Sequence, residues 1–557
     1  MEQSNLFQSI TLDALSKVFA DEKPQGGAYT EGSALYGETF AFQVAYSAER
    51  LFKNLQVEVE SSIGLPFHVR AVGLVPSEMP CYYDHDADVL RTTAGLYPDP
   101  LYELEHTAIH ALPEQWRSLW VHVELDDTVQ PGDHEVKVTI KSEEGALLAT
   151  NSFMLNVIPA KLPKQRLIHT EWFHTDCIAT QYGVDVFSEA HWGLLAQFVG
   201  TAVKHGMNMI LTPQFTPPLD TAIGGERPTV QLINVEVLGD GTYRFGFDRL
   251  TRWVEMCRNA GVEYFEFSHL FTQWGAKHAP KIVATVEGVE RQIFGWRTSS
   301  TSAEYRSFMD QFLPALDGYI KNNGLAQQSW FHISDEPSQD QLETYMAASE
   351  MVRKHLSAYP IMDALSSLDF YEQGLVQRPI PANNHIEPFL RSEVPDLWTY
   401  YCCSQDDQVS NRFFNMPSAR NRVLGFQLYK FGLQGFLHWG YNFWYTQYSA
   451  NQQIDPFRTT DAGAAFPSGD AYLVYPGEAG PVESIRLEVL HQGLQDLRAL
   501  ELLESWIGKE KTVALIEEGI AAPISFSEYP RGNGEWLLTA RERINQAIAA
   551  HCCLTNG

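Results

Sequence analysis

What most constrains this chain is a change of period near residue 160. From about residue 28 to 158 the apolar residues fall into short, β-branched or aromatic runs: "TFAFQVAYS", "NLQVEVES", "FHVRAVGLV", "SLWVHVELD", "HEVKVTIKS" and "NSFMLNVIP". Several alternate with period two, and turn formers such as "QPGDH" and "SEEGA" separate them. Strands without intervening helices bury their faces against one another, which predicts an N-terminal β-sandwich over residues 1–160. "PAKLPKQR" (159–166), with two prolines and three basic residues, reads as the linker.

Beyond it, strand-length and helix-length runs take turns. "LIHTEWF" (167–173) precedes the amphipathic "EAHWGLLAQFVGTAVKHG". "MNMILTP" comes next, then a loop-rich excursion and a helix around "RLTRWVEMCRNAG". "VEYFEFSHL", the helix "EYRSFMDQFLPALDGYIKNNG", "SWFHI" and the helix "QLETYMAASEMVRKHL" continue the pattern. "YPIMDALS", "DLWTYYCC", "GFLHWGYNFW" and "DAYLVYPG" supply the remaining strands, and "SIRLEVLHQGLQDLRALELLESW" the closing helix. Eight strands alternating with helices predict a (β/α)8 barrel over 161–505, with a helical extension over 506–557. An open doubly wound sheet is the alternative, but no GxGxxG or GxxxxGK[ST] opens a helix after a strand.

A formal net charge of -29 argues against nucleic acid and anionic membrane surfaces as partners. No apolar run approaches the roughly eighteen residues a membrane span needs. The start, "MEQSNLFQSITLDALSKVFADEK", shows no basic segment followed by an apolar one, so a cytoplasmic protein is expected. Seven cysteines, with Cys402-Cys403 and Cys552-Cys553 adjacent, suit neither a disulfide framework nor a zinc ribbon.

"FHISDEPS" (331–338) carries the chemistry: Asp335 and Glu336 end a strand-like run, and Pro337 suits a helix start that Ser338 or Asp340 would cap. At the C-terminal ends of barrel strands, these two would converge with Glu171, Trp172, His174, His269 and Asp363. The late strands would add Tyr400, Tyr401, Trp439, Asn442 and Trp444. The set is acidic, aromatic and amide-bearing, without a Lys or Arg cluster for phosphate, which predicts a carbohydrate pocket. No HExxH supports a metal site, and no cofactor is expected.

Adjacent carboxylates on one strand end cannot easily flank an anomeric carbon from opposite faces. "GFLHWGYNFW", read as strand seven, offers no acid as a separate nucleophile. Substrate assistance remains: a 2-acetamido sugar attacks its own anomeric carbon through the acetamide oxygen, giving an oxazolinium ion and overall retention. Asp335 would orient the acetamide N–H and Glu336 would protonate the leaving oxygen. Glu336 is expected to be buried, with its pKa raised by burial and by Asp335.

"HISDEP" resembles the Asp-Glu pair of glycoside hydrolase family 123, the β-N-acetylgalactosaminidases. "FPSGDAYLVYPG…PVESIRLEVLHQGLQDLRALELL" resembles the closing region of the related DUF4091 catalytic domain, and "GETFAFQVAY" is similar to the start of that family's N-terminal sandwich. The resemblance implies a sandwich followed by a (β/α)8 barrel, with Asp335 and Glu336 as catalytic residues. It implies exo-release of β-linked GalNAc from an oligosaccharide or glycoconjugate by the oxazoline route. A GlcNAc-preferring β-hexosaminidase and a non-catalytic glycan-binding protein stay open as alternatives, as does a homo-oligomer.

Overall fold

Up to Lys161 the chain forms nine strands in the computed structural model, which describes residues 6–273, 275–337, 341–532 and 534–555. A five-stranded antiparallel sheet runs Phe7–Asp13, Thr39–Ala48, Arg117–Glu124, His68–Ser77, Gly95–Glu103. A four-stranded sheet runs Glu31–Tyr36, Leu147–Lys161, Gly132–Lys141, Gln56–Ser61. Period-two alternation sends Phe42, Val44 and Val121 from the first sheet into one apolar cluster with Val136, Val138 and Phe153 from the second.

All six runs expected as strands are strands. Three more, Phe7–Asp13, Glu31–Tyr36 and Gly95–Glu103, were not anticipated. The last contains Pro98 and Pro100, which a central strand would reject, and it sits at the sheet edge, where a missing N–H is tolerated. The expected linker begins as strand, because the ladder continues to Lys161.

The second half contains a six-stranded parallel sheet in the order Ser329–Phe331, Tyr264–Phe267, Met209–Thr212, Ile168–Glu171, Gly435–His438, Trp398–Tyr400. Met362–Ala364 and Arg378–Ile380 form a separate parallel pair. Single bridges, Phe331 to Ile361 and Ala382 to Tyr400, stand between the pair and the two ends of the six-stranded ladder. The ladder is therefore six strands plus two, not the continuous eight expected.

Two strand assignments also change. "DAYLVYPG" does not join the parallel sheet; its Tyr475–Gly477 pairs antiparallel with Gly480–Val482. The missed strand is Arg378–Ile380, three residues long. Strands buried on both faces show no alternation, so an apolar run such as "AYLV", packed against Tyr441 through the Leu473 N–H, reads the same as one. "DLWTYYCC" thus stands one place before the last strand, and "GFLHWGYNFW" is the last.

The loop-rich excursion is partly ordered: its Tyr243–Gly246 and Asn234–Val237 join Ile282–Val286 and Val289–Phe294, from the segment after Tyr264–Phe267, in a four-stranded sheet in that order. Helices Glu189–Lys204, Asp248–Ala260, Ala303–Asn322 and Leu342–Leu356 follow strands as expected, each burying one face. The last of these is preceded by Gln341 at its cap position; Ser338 and Asp340, the expected caps, lie outside the described residues. Helix Ile485–Ile507 is buried along most of its length and packs on Leu424–Phe431 at a glycine contact, where a Cβ on Gly425 would stand 1.9 Å from the Gly493 carbonyl oxygen.

The C-terminal helix Glu535–Thr555 returns to the first half, where Glu542 accepts hydrogen bonds from the Ser33 N–H (2.8 Å) and hydroxyl (2.6 Å). Among the described residues no helix is long and apolar enough to cross a membrane.

Candidate active site

The strand Ser329–Phe331 delivers the carboxylate pair. His332, Ile333 and Ser334 beyond it are buried, and the Ile333 N–H donates to Asp363 Oδ1 at 2.9 Å. The chain then turns: Glu336 has φ 44°, a left-handed conformation costly for a residue with a Cβ, and its N–H donates to the Ala364 carbonyl at 3.1 Å. The turn separates the two acids. Asp335 is 7% exposed, whereas Glu336 is exposed at the mouth. The expectation of a buried Glu336 is corrected here, since the turn that presents the pair swings its second member outward.

Both acids line a cavity of about 150 Å³. Trp172, Tyr400 and Trp439 line it too, as expected from the strand ends. The Tyr400 hydroxyl donates to Glu336 Oε1 at 2.7 Å, and the Gln273 amide donates to Asp335 Oδ2 at 2.7 Å. Trp172 is pinned by its indole N–H on Glu266 (2.7 Å), and Trp439 by its indole N–H on Asp470 (2.9 Å). A larger cleft, about 1060 Å³, lies between residues 22–33 and the C-terminal helix, away from the carboxylate pair.

Burial first, and the neighbouring Glu336 charge second, push the Asp335 carboxyl up to about 8, while the Gln273 hydrogen bond and the cation of His332 pull it back. His332 lies beneath the pair, with Nε2 2.6 Å from Glu266 and Nδ1 3.4 Å from Asp363. Burial opposes a charged imidazole there, yet the two flanking carboxylates outweigh it and hold His332 up at about 10. The donor atoms of His269, His332 and Asp363 lie within 4.8 Å of one another, with His332 shared between the Glu266 and Asp363 carboxylates.

The other residues expected in the pocket stand behind its wall. Glu171 is held by both Arg412 guanidinium nitrogens, at 2.7 and 2.9 Å. His174 places Nδ1 3.1 Å from Arg227 and Nε2 2.9 Å from the Trp439 carbonyl, and burial followed by the Arg227 charge lowers it to about 3. Asn442 clamps the His174 backbone from both sides (2.8 and 3.1 Å). His269 stacks on His332 at 4.2 Å, and Asp363 accepts from the Tyr345 hydroxyl at 2.5 Å. Tyr401 packs on Phe436, and Trp444 donates to the Val474 carbonyl at 3.0 Å. These seven brace the pocket without lining it.

Residues that the strand-end reading did not reach also line the cavity: Asp220, Gln273, Cys402, Cys403, Tyr448 and Phe466. They belong to the segments that follow the parallel strands, beyond the strands' own last residues. Asp220 (φ 39°) and Tyr448 (φ 59°) share the left-handed strain of Glu336, a concentration typical of functional sites. "TYYCC" stood next to a named residue, so Cys402 and Cys403 were the two within reach of the sequence.

A family model described as glycoside hydrolase 123, catalytic domain, matches residues 172–503. Among solved structures, the chain is similar to a family 123 glycoside hydrolase from Clostridium perfringens studied for glycolipid glycan hydrolysis. The TM-score is 0.75 at 15% identity, over 99% of each chain, so the two share a fold. An endo-β-1,4-mannanase from Thermotoga petrophila matches at TM-score 0.35 and 11% identity over 60% of this chain and 77% of that one, too slight to bear on the fold. No curated protein matches.

Proposed function

The chain belongs to glycoside hydrolase family 123, and on that footing we propose that it is a retaining exo-β-N-acetylgalactosaminidase working through an oxazolinium intermediate. The observation that carries the reading is the division of labour inside one dipeptide. Asp335 is buried against the cavity floor, where a substituent of the bound sugar would lie, and Glu336 stands at the mouth, where the leaving group departs. The acetamide oxygen attacks the anomeric carbon as Glu336 passes its proton to the glycosidic oxygen. Asp335 accepts the acetamide N–H and stabilises the positive charge that grows on the ring. Water then opens the oxazolinium from the face the leaving group has vacated, with Glu336 as base, and retention results.

The real strand seven, Trp398–Tyr400, carries no carboxylate either, so correcting the strand order leaves the argument for an internal nucleophile intact. A cavity of about 150 Å³ suits one sugar ring, which favours exo action. Trp172, Trp439 and Phe466 give it apolar walls for a pyranose face. The Clostridium enzyme's work on glycolipid glycans supports a glycoconjugate as the substrate.

The fold reading that goes with this is a β-sandwich over 1–160, a (β/α)8 barrel over 161–505 and a helical extension over 506–557. The bridges at Phe331–Ile361 and Ala382–Tyr400 support closure of the barrel. Seven cysteines, four of them in adjacent pairs, suit a reducing compartment such as the cytoplasm.

The test is turnover of p-nitrophenyl β-GalNAc, β-GlcNAc and β-Gal, with a GalNAc thiazoline as inhibitor. Cleavage of β-GalNAc, strong thiazoline inhibition and no action on β-Gal, which lacks the internal nucleophile, are expected. Cleavage of β-Gal would end the substrate-assisted reading.

A further inference from the structure

A buried aspartate beside a second carboxylate tends to keep its proton, yet the proposed chemistry needs Asp335 as an oriented anion. Three hydrogen bonds running in from the pocket's far wall address this. The Tyr448 N–H donates to Asp220 Oδ2 at 2.9 Å. The Asp220 N–H donates to Gln273 Oε1 at 2.6 Å. Gln273 Nε2 then donates to Asp335 Oδ2 at 2.7 Å.

The middle link decides the direction. A backbone N–H can only donate, so the Gln273 carbonyl must face Asp220 and its NH2 must face Asp335. Flipping the amide would set donor against donor at one end and acceptor against carboxylate at the other. The two loops that carry the relay are clasped to each other: the Ser449 hydroxyl donates to the Asp220 carbonyl (2.7 Å), and the Ala222 N–H to the Tyr448 carbonyl (3.1 Å). Asp220 (φ 39°), Tyr448 (φ 59°) and Ser449 (φ 56°) are all left-handed, so the clasp is held against backbone strain.

We propose that Gln273 is a positioning residue that holds Asp335 as an oriented anion facing the sugar's acetamide, with the Asp220 main chain as its anchor. The proposal rests on the reading of Asp335 given above. The charged groups facing Asp335 are Glu336, His332 and Asp363, with Tyr400 behind Glu336 and Asp220 across the cavity. The Gln273 N–H and His332 favour the anion, while burial, Glu336 and Asp363 oppose it.

Two measurements on Gln273→Leu test this. On p-nitrophenyl β-GalNAc, kcat should fall about tenfold to a hundredfold, the worth of a hydrogen bond to a charged group. KM should stay within about twofold, and the acid limb of the kcat profile should move to higher pH. Retained kcat with an unmoved acid limb would overturn the proposal.

The second measurement needs no activity. Ionised Asp335 loses its donor in Gln273→Leu, so the melting temperature should drop below wild type more at pH 9 than at pH 5. In an Asp335→Asn background that pH dependence should vanish. A gap that is equal at both pH values, and unchanged by Asp335→Asn, would show that Gln273 only packs. If wild type cleaves no 2-acetamido glycoside, the proposed activity falls while this cycle still decides what Gln273 does to Asp335.

Discussion

At the seam between the β-rich region and the helix Ile485–Ile507, buried acids meet arginines. Arg486 holds Asp99 through two nitrogens, each at 2.9 Å, Arg70 bridges Glu483 and Glu488, and Arg541 joins Glu38 to Asp496. In the pocket, Asp335 and Glu336 meet a neutral amide and a neutral phenol. The seam answers its carboxylates with guanidinium groups, as a structural joint must when it takes carboxylates out of water. The pocket instead buries Asp335 beside Glu336 with a neutral amide and only the shared His332 cation to answer it, so the Asp335 carboxyl keeps its proton well above the usual carboxylate range.

The sharpest way to break this contrast is to unpair the seam. Arg486→Met strands Asp99 and should lower the free energy of unfolding by about 3–5 kcal/mol in denaturant titrations, with turnover per folded molecule retained. Lost turnover at unchanged stability would mean that the seam serves catalysis.

Asp335→Asn should show the reverse. Turnover should fall on the order of a hundredfold or more, with substrate affinity much less affected. Its stability should move the other way. Folding raises the Asp335 carboxyl from 3.8 to about 8, so the folded state grips that proton more tightly than the unfolded chain does. Stability from this group is complete below about pH 4 and is lost as pH rises through about 8. Asp335→Asn escapes that loss and should out-melt wild type at pH 9. A lower melting temperature there, with normal turnover, would make Asp335 a structural residue.

Tyr400→Phe should have the smallest effect. It removes one hydrogen bond to Glu336, which water at the mouth partly replaces, so about a tenfold loss of turnover and little change in melting temperature are expected. An unchanged rate would mean that the phenol only packs.

How far the sequence could be read follows from which interactions are local. The six β-runs of the first half were legible because each is six or more residues of β-branched or aromatic type bounded by turn formers, and several alternate. Arg378–Ile380 was not, because three residues buried on both faces carry no period. Asp335 and Glu336 were legible because a strand ending in two acids before a proline is a local event. Glu171 and His174 were read as pocket residues because residue type alone does not show that Arg412, 241 positions away, and Arg227, 53 away, already occupy them.

The amino-acid sequence by itself determined the β-rich half, the alternating half and the dipeptide proposed to carry the chemistry, since each depends on neighbours a few residues apart. The tertiary structure decided which acid is buried, because the left-handed turn at Glu336 and the closing walls set exposure. It also decided what holds Asp335, because Gln273 and Asp220 reach the site from loops 62 and 115 positions earlier. No periodicity records such a meeting; only the packing of distant loops around one cavity creates it.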